Sequence, residues 1–215
     1  MIPFIIIVAF IPGLFWLFYF IKKDKYEPEP PLFIIYVFIA GMVAILPAGI
    51  IERFFHQLIS NKYIYYIFIV GLSEETVKFL SVRLTVFRNR EFDEPIDGIV
   101  YSTTAALGFA TVENILYMMT MGWKVIFVRA VFSTLGHIVF AALWGYPLYK
   151  SKKTGKKRYV VFGLLMAALM HGLYNIFIIS AQLYGLLLAV AIIIILYCLM
   201  NRDIKKAEEE SPYKK

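Results

Sequence analysis

Glu74 and Glu75 stand side by side between apolar flanks, and Lys78 follows four residues after the first. Glu113-Asn114, His137 and His171 interrupt apolar runs of their own, and Asn175 follows His171 at i+4. Two adjacent carboxylates beside a cation can offer one ionised and one protonated group, the base and the acid that amide hydrolysis requires. Histidine and asparagine can donate to a developing oxyanion. Other hydrolytic chemistries find no support. No serine sits in a nucleophile elbow, and the single cysteine, Cys198, lies near the end of the last apolar run. Asp24, Asp93, Asp97 and Asp203 all fall in loops or at the ends of runs, which excludes a paired-aspartate site. Two histidines and a glutamate can also hold catalytic zinc. The HExxH helix signature is absent, so those ligands would have to come from three helices; no cofactor is expected, with zinc left open.

Each of these residues also has a plain structural use. Glu74 and Lys78 share a helical face and can neutralise each other. Glu75 lies about 100° further round and is left over, unless both glutamates sit in a solvated kink. Glu113 can bond across helices, and a single histidine inside a membrane is often only a satisfied polar contact. Arg129 lies about six residues from the end of its run, within reach of the interface along its aliphatic stem. His56 falls in a short loop and is assigned nothing.

The elements that must position these residues follow from composition. The 215 residues are 60% hydrophobic and 17% charged, against about 45–50% and about 25% in soluble domains. So apolar a chain would expose patches that aggregate in water, which excludes a soluble enzyme, a disordered chain and a disulfide scaffold. A bilayer core takes about 20 helical residues. Seven runs suit it, at about 2–21, 32–51, 63–87, 96–120, 123–149, 159–179 and 183–200. The first has charge after it rather than before, so it reads as a retained span and not a signal peptide. The expected fold is an all-α bundle of about seven transmembrane helices, with residues 1–200 as one catalytic membrane domain. Residues 201–215 read as a polar cytoplasmic tail in water. Seventeen of the 22 basic residues lie at the loops after spans one, three and five and in the tail. That asymmetry predicts the N-terminus outside and the C-terminus inside. It also removes nucleic acid as a partner of the +7 chain, because the basic residues flank spans and face anionic lipid.

Several stretches together carry a family resemblance. They are Pro12-Gly13-Leu14-Phe15-Trp16, Asp24-Lys25-Tyr26-Glu27-Pro28-Glu29-Pro30, Glu74-Glu75-x-x-Lys78, Phe109-x-x-x-Glu113-Asn114, His137 and His171. In that order the chain resembles the PrsW family of bacterial intramembrane proteases, similar to the CAAX prenyl endopeptidases and Abi proteases, from about residue 12 to 177. The resemblance implies that Glu74 and Glu75 are the catalytic glutamates, with His171 an essential partner and His137 a further site histidine. Lys78, Glu113, Asn114 and Asn175 support them. It departs from the prenyl endopeptidases, which carry Arg one position after Lys78 and His where Glu113 stands. It further implies a plasma-membrane enzyme that cuts a membrane-anchored anti-sigma factor on its extracytoplasmic side, opening a stress-signalling cascade. A proton- or ion-coupled transporter would use intramembrane Glu, Lys and His too, but no inverted repeat is visible. A non-catalytic scaffold is the third reading.

Overall fold

The computed structural model describes residues 2–180 and 182–214, and among them every regular element is helical. The chain runs through α1 (Ile2–Ile21), α2 (Pro31–Val43), α3 (Ile45–His56), α4 (Lys62–Ile64) and α5 (Gly71–Thr85). It continues through α6 (Pro95–Met121), α7 (Ile126–Val131), α8 (Ser133–Thr154), α9 (Arg158–Ile179) and α10 (Leu183–Glu209). α2 and α3 form one rod, as do α7 and α8 with the short turn before them. Six helices among the described residues are long and apolar enough to cross a membrane. The seventh, Lys62–Thr85, joins α4 to α5 through π-helical turns at Tyr65–Val70. Its charges keep it below the apolarity of the other six, and it survives by burying them.

α6 is the axis of the bundle. Pro95 to Thr111 are buried without a break, with α1, α2 and α8 packed around them. The hydroxyls of Ser102, Thr103, Thr104 and Thr111 donate to carbonyls three or four residues back in the same helix. No polar group of that kind is left bare at membrane depth. Small residues allow the close approach: a Cβ on Gly41 would lie 2.1 Å from the Ala105 carbonyl, and one on Gly108 2.1 Å from the Phe38 carbonyl. Outward, Ile7, Phe15, Ile50, Phe68, Phe162 and Leu187 present an apolar belt suited to lipid.

The two ends of the bundle differ. Lys152 Nζ donates to the carbonyls of Asn89 and Phe92, Tyr213 bonds Asp93, and Lys25 pairs with Glu208. The basic loops and the chain's last residues therefore meet on one face. The expected free tail is corrected here. α10 continues to Glu209, Ile204 and Ala207 are buried, and Tyr146 donates to Glu210 at 2.7 Å. Apolar residues on the tail's inward side hold it against the bundle.

Candidate active site

α5 carries Glu74, Glu75 and Lys78 into the bundle where α9 crosses it closely. A Cβ on Gly71 would fall 2.2 Å from the Ala168 carbonyl, and one on Gly172 2.5 Å from Ile67 Cα. These two glycines, each within four residues of a site side chain, set the separation of Glu75 from His171. The π-helical turns just before Gly71 form the surface that Gly172 packs on; such turns recur at functional sites.

Six predicted residues converge, Glu74, Glu75, His137 and His171 with Lys78 and Glu113 against them. Glu74 Oε2 lies 3.8 Å from His137 Nδ1 and 3.8 Å from His171 Nε2. Lys78 Nζ touches Glu74 Oε2 at 3.0 Å, Glu75 Oε1 at 3.0 Å and His137 Nδ1 at 2.9 Å, over the Phe109 ring. Glu75, expected to be left over, is the i,i+3 neighbour of Lys78, so one ammonium reaches both carboxylates. Since an ammonium only donates, His137 Nδ1 accepts, which places the ring proton on Nε2. Nε2 then donates to Glu113 at 2.7 Å. His171 Nδ1 donates to Glu75 Oε1 at 3.0 Å, leaving its Nε2 facing Glu74. Its ring stacks on Phe140 at 4.8 Å.

The outer ring of contacts was partly missed. Arg129 does not snorkel to the interface. It is buried, donates to Glu113 at 2.6 Å and to Asn114 at 2.8 Å, and lies over Tyr117. Asn114 in turn donates to Thr134. Trp144 donates its indole N–H to Glu75 at 3.1 Å, and Ser73 holds Glu52. A tryptophan or threonine in an apolar helix gives no signal that separates it from core.

A cavity of about 840 Å³ opens beside this cluster, within the range of about 300–1,000 Å³ seen for ligand sites. Glu74, Glu113, His137, His171 and Asn175 line it, whereas Glu75, Lys78 and Asn114 stand behind the wall. Val128, Phe132, Ile178 and Leu186 make its apolar side, and Glu52 and His56 reach its rim. The lining reaches the helix ends at His56, Met121, Val125 and Ile179 and none of the basic loops, so the cavity lies toward the opposite end of the bundle.

One oxygen of Glu74 and one nitrogen each of His137 and His171 lie within 4.8 Å of one another. As donors they suit a divalent metal ion such as zinc. Behind each histidine stands a carboxylate on its other nitrogen, the usual support of a metal-binding imidazole. Lys78 Nζ touches two of the three donor atoms, so it would share them with any ion.

A family model described as "PrsW family intramembrane metalloprotease" matches residues 29–200. Protease PrsW of Oceanobacillus iheyensis is 35% identical over 93% of this chain and 94% of its own length. Protease PrsW of Geobacillus kaustophilus is 32% identical, over 92% and 89%, and that of Bacillus subtilis 30% identical, over 94% and 95%. No solved structure matches the chain.

Proposed function

The chain belongs to the PrsW family and is a multi-pass intramembrane protease, and from that premise we propose that it cuts a membrane-anchored protein within the cavity, with Glu74 as the residue that activates water. The observation that carries this reading is the cavity wall: of the adjacent glutamates only Glu74 lines it, within 3.8 Å of both histidines. Lys78 donates to Glu74 at 3.0 Å and so keeps a cation beside that carboxylate. Glu74 takes a proton as the water oxygen bonds to the scissile carbonyl carbon. Glu74 passes that proton to His171 Nε2, 3.8 Å away, and the N–H so formed, with the amide of Asn175 one turn on and also on the wall, donates to the oxyanion. Glu75, closed in by Lys78, His171 and Trp144, orients the His171 ring and offsets positive charge that builds there. His137, held by Glu113, assists the proton toward the leaving amine.

One observation favours a second reading of the same site, namely the three clustered donors with a carboxylate behind each histidine. Glu74, His137 and His171 would hold a divalent metal ion, which when bound would supply Lewis acidity to water and to the carbonyl oxygen. For the substrate, the apolar wall suits an extended hydrophobic segment, and an anti-sigma factor anchored by one span is the class we propose.

The test uses purified protein and a single-pass tethered substrate. Glu74→Gln is expected to lower cleavage at least a hundredfold at unchanged membrane level, as is His171→Ala. Full cleavage by Glu74→Gln would overturn the reading. Activity lost to a chelator and restored by Zn²⁺ would make Glu74, His137 and His171 ligands rather than base and oxyanion donors.

A further inference from the structure

A second group of buried acids lies on the opposite face. Asp24 and Glu29, in the connection between α1 and α2, and Asp97, in the first turn of α6, each bring an oxygen within 4.8 Å of the others. They are exposed by only 3%, 7% and 1%. Part of this density is accounted for. Asp97 Oδ2 caps α6 by accepting from Asp93 N at 2.7 Å and Glu94 N at 2.6 Å. Asp24 Oδ2 accepts from Glu29 N at 2.8 Å, and Glu29 Oε2 accepts from the Tyr101 hydroxyl.

What remains is Asp24 Oδ1 and Glu29 Oε1, both buried and both without a hydrogen-bond partner. An unpaired buried oxygen costs about 1–3 kcal/mol, more when charged, and natural structures rarely leave one without a reason. Among the described residues no ion pair reaches Asp24, Glu29 or Asp97. Lys152, the cation that faces them, gives its Nζ to the carbonyls of Asn89 and Phe92. Burial, with neighbouring carboxylates adding to it, pushes Asp24 up to about 7 and Glu29 up to about 8. The corner is short of positive charge.

We propose that Asp24, Glu29 and Asp97 bind a hard divalent cation, Ca²⁺ or Mg²⁺, which ties the α1–α2 connection to the start of α6. The set offers oxygen alone, with no nitrogen or sulfur, which selects this class over zinc or copper. The site stands apart from the hydrolytic cluster and does not depend on how that cluster works. It gives a physical use to Asp24 and Glu29 of the Asp24–Pro30 stretch, which the peptidase chemistry leaves unused. Protons shared among the three carboxyls are the competing way to balance them.

The experiment is calorimetric titration of the full-length, chelator-stripped protein in detergent, with Ca²⁺ in one arm and Mg²⁺ in the other. One ion per chain is expected, and the tighter arm names it. Asp24→Asn and Glu29→Gln should each weaken binding at least tenfold, while Glu74→Gln should bind as the native chain does. No saturable binding of either ion to the native chain would overturn the proposal in favour of shared protons. Binding that persists in both carboxylate variants, or that disappears with Glu74→Gln, would also overturn it. Tyr101→Phe keeps all three carboxylates and covers the case in which the other variants fail to fold. Terbium luminescence sensitised through Tyr101 should fall in that variant while ion stoichiometry holds, and an unchanged signal would place the ion elsewhere.

Discussion

Glu113 is the residue through which the outer contacts reach the candidate site. It accepts from His137 on one side and from Arg129 on the other, so Arg129 fixes the carboxylate that fixes the imidazole. Breaking a buried ion pair from one side costs about 3–5 kcal/mol, because the remaining charge is left unpaired. Residues that orient a site histidine are typically worth about ten- to a hundredfold in activity. Arg129→Ala should therefore lower both thermal stability and turnover, with turnover down tenfold or more, and Arg129→Lys should recover part of each. Melting in detergent alongside single-turnover cleavage checks this; native turnover in Arg129→Ala would mean that His137 does not rely on Glu113. The glutamates and histidines were legible in the sequence because ionisable groups are expensive in an apolar run. Arg129 was not, since sequence gives its depth along a helix but not whether it points to lipid or inward. Lys78 was half legible: the reading took its i+4 partner Glu74 and passed over Glu75, which i+3 spacing also places beside it.

At the level of elements, the segment from Lys62 to Thr85 is where apolar patterning and function pull apart. Six helices could be read from length and hydropathy, and they are present. The seventh was legible as an apolar run interrupted by charges, while its π-helical turns left no mark in the pattern of side chains. What seats it is backbone proximity to α9 at Gly71 and Gly172, where no Cβ fits beside a carbonyl or a Cα. The same crossing sets the 3.0 Å contact between Glu75 and His171, so packing and chemistry share one dimension here. Overpacking a tight contact costs about 1–3 kcal/mol, and backbone atoms cannot rotate away as a side chain can. Gly71→Ala should thus lower the melting temperature and cut cleavage together by separating α5 from α9. A variant with native melting but no activity, or native activity at reduced melting, would uncouple what the crossing joins.

Across the whole molecule the asymmetry between the two faces predicts a side for the chemistry. The basic loops, the end of α10 and the acidic corner meet on one face, and the cavity opens toward the other. Lysine and arginine are retained on the cytoplasmic side during insertion, so the expected orientation has the N-terminus and the cavity mouth outside. A substrate would then be cut near the outer surface, with the apolar cavity wall receiving the part of its anchor closest to that surface. The packed tail lies on that same basic face, tied to it from Glu208 through Lys25 and from Glu210 through Tyr146. In a chain with Cys198 replaced by serine, a cysteine introduced at Asn61 should react in intact cells with a maleimide that cannot cross membranes. A cysteine at Lys156 should react only after the cells are opened. The reverse pattern would place the cavity mouth in the cytoplasm, and the substrate class would then have to be sought among proteins exposed on that side.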